Sequence, residues 1–148
     1  MLAEGKYIMR RQPYITSHKR YIIVEKWEEF AMAGNKLLEL SFDFSVAIVN
    51  LVDNVTKPKS AYMTDQLARA GTSVGANIHE AQYAQSKKDF ISKLEIALKE
   101  ANETSYWLKL MYATGRIDLQ TYQHTEKLCG NIRRLLIASC KTAKANAQ

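Results

Sequence analysis

Apolar positions recur at spacings of three and four along most of this chain, the period of an amphipathic helix, and polar or proline-bearing breaks divide the pattern into four segments. In the first, residues 35–54, Leu37, Leu40, Phe44, Ala47, Ile48, Leu51 and Val55 share one side, and Asn35 is placed to cap the start. The stretch Asp53-Asn54-Val55-Thr56-Lys57-Pro58 ends it, because a residue that precedes proline avoids the helical region. The second segment, residues 60–81, carries the stripe Leu67, Ala70, Val74, Ile78 and Ala81 beside the small residues Ala68, Gly71, Thr72, Gly75 and Ala76. Glycine inside a helix costs about 1 kcal/mol relative to alanine. Gly71 and Gly75, four apart, therefore imply a closely approaching neighbour helix, or a ligand groove against that face.

The third segment opens with a capping box, Ser86 to Asp89. It then places Phe90, Leu94, Ala97, Leu98, Ala101, Leu108 and Met111 inward, with Trp107 to one side. Asp89–Lys93 and Glu95–Lys99 have the acid-first i,i+4 order that stabilises a helix surface. The segment ends near Thr114, with Gly115 at the position where a left-handed glycine terminates helices. Asp118 caps the fourth segment, whose expected core positions are Leu119, Tyr122, Leu128, Ile132, Leu135 and Ser139, and which frays beyond Lys144. Four helices with short links predict an all-α fold, an antiparallel up-down four-helix bundle over residues 35–148. Residues 1–34 form an N-terminal extension with a mixed signal. Tyr14–Val24 has a weak strand composition. Val24–Ala33 suits a short helix stopped by Gly34, with Trp27, Phe30 and Ala31 on one side, and a basic arm fits equally well.

A chain of 148 residues can bury a core without disulfides or metal. Cys129 and Cys140 lie about 16 Å apart along one helix, too far for a bond to each other, so they read as free buried thiols of a reducing cytoplasm. No run of apolar residues is long enough to span a membrane, and the N-terminus lacks the apolar stretch of a signal peptide, so a cytoplasmic location without membrane contact is expected. The net charge is +6, and residues 116–148 carry six basic against two acidic groups, with no acid after Glu126. That bias suits RNA or DNA as partner, through phosphate contacts of low sequence specificity. The candidates are Lys127, Arg133, Arg134, Lys141 and Lys144, with Arg69 and Arg116 as outlying members. On a helical projection Arg133, Lys141 and Lys144 share one face, while Lys127 and Arg134 share another. The fourth helix itself interleaves few aromatics, so base stacking is not signalled there.

Catalytic chemistry has little support. His18, His79 and His124 are scattered, and neither a zinc motif nor a phosphate loop is present. Gly71-Thr-Ser-Val-Gly75 spells the G-x-S-x-G elbow, but that elbow needs a strand before it. Glu80 reads as a base or metal ligand, or as a structural group that with Asn77 ties the second helix to its neighbours. A ferritin-like site is closed because residue 83 is Tyr rather than the His of Glu-x-x-His. Arg69 fits phosphate binding or a carboxylate across a subunit contact. No cofactor, metal or enzymatic activity is expected.

The run LARAGTSVGANIHEAQ, followed by SKKDFISKLEIALKEANETSYWLKLM, resembles the bacterial four-helix-bundle proteins encoded in intervening sequences of 23S rRNA genes. Arg69, Gly71, Ser73, Gly75, Asn77, Ile78 and Glu80 match that family's first motif. Lys88, Asp89, Phe90 and Ile91, then Glu103 and Trp107, match the second, and SFDFSVAIVNLV in the first helix also fits. The resemblance covers residues 35–142, and the extension before it departs from the family's short start. It implies an up-down bundle that assembles as a homo-oligomer, a pentamer by analogy with members that form rings. The accessory protein of diversity-generating retroelements shares the fold and binds nucleic acid, and its reverse transcriptase partner carries over by analogy alone.

Overall fold

A computed structural model describes residues 20–55 and 61–146, with side chains from residue 36 onward. The chain divides into two units, residues 1–32 and 33–148. Among the described residues there are four helices: α1, Arg20–Asn54; α2, Ala61–Ala81; α3, Lys87–Ala113; and α4, Leu119–Ala145. Within the second unit they form the expected antiparallel up-down bundle, in which each helix packs on the next. The expected cap at Asn35 does not occur, because α1 passes through Gly34 and Asn35 without a break. One glycine weakens a helix by about 1 kcal/mol but ends it only where the backbone leaves helical space. Tyr21–Val24 are helical, which removes the strand reading for that part of the segment. Residues 14–19, with His18, lie outside the described residues.

The local signals at the turns act as expected. Ser86 is extended, and its hydroxyl accepts from the Asp89 N–H at 3.1 Å. Asp89 reaches back to the N–H of Gln85 at 3.1 Å, one residue earlier than a standard capping box. Gly115 has φ +66°, and the following Arg116 N–H bonds to Met111 O at 2.8 Å, which satisfies a carbonyl at the end of α3. Asp118 accepts from the Thr121 N–H at 2.7 Å, and this bond lowers the carboxyl pKa.

The core joins all four helices around Phe44, Ile48, Leu67, Val74, Ile78, Leu94, Leu108, Met111, Ile132 and Leu136, each at most 1% exposed. Gly71 and Gly75 are explained by α1. A Cβ on Gly71 would stand 2.7 Å from Ile48 Cγ1, and one on Gly75 would stand 2.7 Å from Ser45 Oγ and 3.2 Å from the Ser41 carbonyl oxygen. At Gly71 and Gly75 the small-residue face is therefore occupied by α1 rather than by a ligand groove. The phase of α4 differs from expectation. Thr125, Cys129, Ile132, Leu136, Cys140 and Ala143 point inward, Leu128, Leu135 and Tyr122 flank the core, and Leu119 is 48% exposed. Small residues are buried on both α3, at Ala97, Ala101 and Thr104, and α4, at Thr125, Cys129 and Ala143. The Cys129 thiol reaches Ala101 O at 3.2 Å. Both cysteines are free and buried, and burial pushes the Cys129 thiol up to about 12. Buried Ser41, Thr104 and Thr125 satisfy their hydroxyls on their own helices, at Leu38 O, Glu100 O and Thr121 O, so they cost little inside the core.

Candidate nucleic-acid interface

Seven residues of helix cover about 700°, only some 20° short of two turns. Lys127, Arg134 and Lys141 therefore stack in one stripe about 21 Å long, and all three are exposed on α4. Lys141 belongs with Lys127 and Arg134 rather than with Arg133 and Lys144. Among the described residues none of the three has an ion-pair partner; Arg134 donates to the amide oxygen of Asn131 on the same helix.

The other sequence candidates are held by the fold. Arg133 turns toward α3, with Nη1 3.5 Å from Asn102 Oδ1 and Nη2 4.0 Å from Glu126 Oε1. Lys144 is ion-paired with Glu95 of α3, and the carboxylate raises the lysine pKa. Arg69 of α2 clamps α3: Nη2 pairs with Glu103 and also donates to Gln66 at 3.0 Å, and Nη1 lies 3.9 Å from Glu100. Its carboxylate partners are thus in the same chain. Arg116 donates to Thr114 O at 3.2 Å, and its Nε is buried without a partner among the described residues. It lines a groove of about 890 Å³ between the end of α1 and the start of α4, along with Asn50, Asn54, His124 and Lys127.

Glu95 pairs with Lys144 and Lys93 with Glu80, so among the described residues neither expected i,i+4 couple on α3 closes into an ion pair, although, after Glu80, the Asp89 charge still helps to raise the Lys93 pKa. Lys99, its expected partner taken by Lys144, and Lys109, both exposed on α3, have no ion-pair partner among the described residues. They extend the basic surface across two helices. The sequence pattern hid them because Lys99 has a carboxylate at the right spacing and Lys109 sits among core residues. The bordering carboxylates are engaged elsewhere: Glu95 by Lys144, Glu103 by Arg69, and Glu126 by the Ser105 hydroxyl at 2.8 Å. The surface therefore offers cations with little internal neutralisation, which favours anion binding in proportion to the phosphates engaged.

The α2 motif holds the bundle together. The Ser73 carbonyl accepts from Asn77 Nδ2 at 2.9 Å, so Asn77 bonds within its own helix rather than to a neighbour. Glu80 ties α2 to α3 through Lys93, whose pKa its hydrogen bond raises. A surface hollow of about 550 Å³ lies at this turn, lined by Glu80, Tyr83, Gln85, Ser86, Asp89 and Lys93. Its polar atoms are largely committed to capping and to the Glu80–Lys93 pair. His79 and His124 are exposed and separate, and no three His, Cys, Asp or Glu side chains among the described residues are placed to hold a metal. No helix among the described residues is long and apolar enough to cross a membrane.

Residues 34–138 match the family model described as 23S rRNA-intervening sequence protein. The chain belongs to that family. A crystal structure from Bacteroides thetaiotaomicron, a protein of unknown function from the S23 ribosomal protein family, resembles this chain with a TM-score of 0.71 at 46% identity. The similarity covers 74% of this chain and 98% of the other. No functionally curated protein matches. The matched region of this chain includes the seam between α1 and α2 at Gly71 and Gly75.

Proposed function

We propose that this protein is a non-enzymatic, cytoplasmic homo-oligomer that binds RNA or DNA electrostatically through the basic face of α4. The observation that supports this reading is the stripe Lys127, Arg134 and Lys141, flanked on α3 by Lys99 and Lys109, with none of the five ion-paired among the described residues. Arg133 sits at the edge of the face, while Lys144, Arg69 and Arg116 serve the fold. Backbone contact of this kind is strongly salt-dependent and weakly sequence-selective. The double variant Arg134→Glu, Lys141→Glu tests it. In a fluorescence-anisotropy titration the wild type should bind duplex at low salt, and the variant should lose most of that affinity. The slope of log K against log salt should fall by about 1.8, roughly 0.9 for each of the two phosphates no longer neutralised. Absence of wild-type binding to both duplex and single strand at low salt refutes the reading.

A second reading, a structural or protein-interaction ring without nucleic acid, draws on α1. Phe42, Val46 and Val49 occupy successive turns and are 63%, 45% and 45% exposed. An apolar strip of this kind favours burial against protein. Both readings fit a homo-oligomer, with five subunits as the family resemblance implies, and a light-scattering mass decides that number. A reverse transcriptase partner has no support in any residue of this chain beyond the analogy. Nuclease treatment separates the readings, since a partner held by protein contacts survives it.

A further inference from the structure

The basic face of α4 lacks aromatics, but α3 brings one to its side. Tyr106 is 59% exposed. Its neighbours fix its height on the bundle: Ser105 bonds Glu126 at 2.8 Å, and Asn102, one turn earlier, meets Arg133 at 3.5 Å. Tyr106 therefore stands on the outer side of α3 level with the turn of α4 that begins at Lys127. Lys99 precedes it by seven residues and Lys109 follows by three, so cations lie on either side of the ring along α3.

The ring is also braced. Tyr106 packs edge-on against Trp107, with centroids 5.2 Å apart and planes at 75°. Trp107 Nε1 donates to Glu103 at 3.3 Å, and Glu103 is paired with Arg69 of α2. A chain from Arg69 through Glu103 and Trp107 thus steadies a tyrosine that keeps more than half its surface in water. A large aromatic held exposed has no share in the core. Among unpaired cations it has the composition of a single-strand site, where phosphates meet basic side chains and bases stack on rings. Bases in a duplex are already stacked and offer no free face.

We propose that the nucleic acid bound by this protein is single-stranded, and that Tyr106 is the residue on which a base stacks. The proposal rests on the basic-surface reading above. Its test compares four proteins, the wild type, Tyr106→Ala, Tyr106→Phe and the Arg134→Glu, Lys141→Glu pair, against a short single-stranded oligonucleotide and a duplex of the same length. Stacking is abolished in Tyr106→Ala, which should bind the single strand about 5- to 150-fold more weakly. Its duplex affinity and its salt slope should be unchanged, and Tyr106→Phe should restore single-strand binding. The ring is exposed, so circular dichroism of Tyr106→Ala should match the wild type. If Tyr106→Ala binds the single strand as the wild type does while the charge-reversed pair does not, stacking is refuted and the basic surface stands. If Tyr106→Ala weakens single strand and duplex alike, stacking is again refuted. If the wild type binds neither probe at low salt, both readings fail together.

Discussion

Replacing Gly71 and Gly130 by alanine, one at a time, applies the same chemical change to two helix interiors with opposite expected signs. At Gly71 the new methyl would sit 2.7 Å from Ile48 Cγ1, 2.8 Å from Cγ2 and 3.1 Å from Cδ1. Carbon atoms in contact prefer about 3.5–4.0 Å, so the methyl is about 1 Å too close to both branches of one side chain. Ile48 is fully buried and β-branched, and has few rotamers to move into. Overpacking of this kind costs about 1–3 kcal/mol, and the rigid neighbour places it in the upper half of that range. The better helix propensity of alanine returns about 1 kcal/mol. The net expectation is a loss of about 1–2 kcal/mol. At Gly130 nothing lies within 4 Å of the added methyl, so only the propensity acts and the variant gains about 1 kcal/mol. Urea titrations followed by circular dichroism at one fixed protein concentration read both values; the fixed concentration matters because assembly shifts apparent stability. For a domain of this size each kcal/mol moves the thermal midpoint by about 2–4 °C. A further arm, Gly71→Ala with Ile48→Ala, should lose less than the sum of the single losses, because the new methyl fills part of the space vacated by Ile48. A Gly71→Ala protein as stable as the wild type would refute the close approach of α1 to α2.

Three further outcomes are expected. Ser86→Ala leaves the Asp89 N–H without its acceptor and should cost about 1 kcal/mol, read in the same urea titration. Asp118 has its folded pKa lowered by the Thr121 N–H. Its stabilisation is therefore full above the unfolded carboxyl value and disappears as pH falls through the lower folded value. The stability difference between wild type and Asp118→Asn, which caps without titrating, should be constant near neutrality and decline only under acid conditions below pH about 4. Cys129, buried and with its thiol pushed up to about 12, should resist a disulfide-exchange reagent at pH 8 until the bundle opens, and Cys140, 7% exposed, should react before it in partial denaturant.

Most of the architecture was legible in the sequence because the signals that specify it are local. Ser86, Gly115 and Asp118 mark helix ends through contacts made within a few residues. The stripe Leu67, Ala70, Val74, Ile78 and Ala81 is buried as its period requires. Gly71 and Gly75 announced a neighbour by an otherwise unrewarded helix cost. Gly34 misled, since a glycine ends a helix only if its backbone leaves helical space. On α4 the expected phase was off: Ile132 is buried as expected, but Leu136, Cys129 and Cys140 share the inward face with it rather than Leu119, Leu128 and Leu135. The fate of each charge was not legible. Arg69 meets Glu103 across 34 residues and Lys93 meets Glu80 across 13, and Lys144 meets Glu95 on the adjacent helix. These pairings depend on helix rotation and height, which no single-helix periodicity contains. The sequence by itself determined that the chain folds as four helices carrying a basic excess. Only the tertiary structure decided which cations the fold consumes, which remain on one face of α3 and α4, and that Tyr106 stands among them, because each of these rests on distances between helices rather than along them.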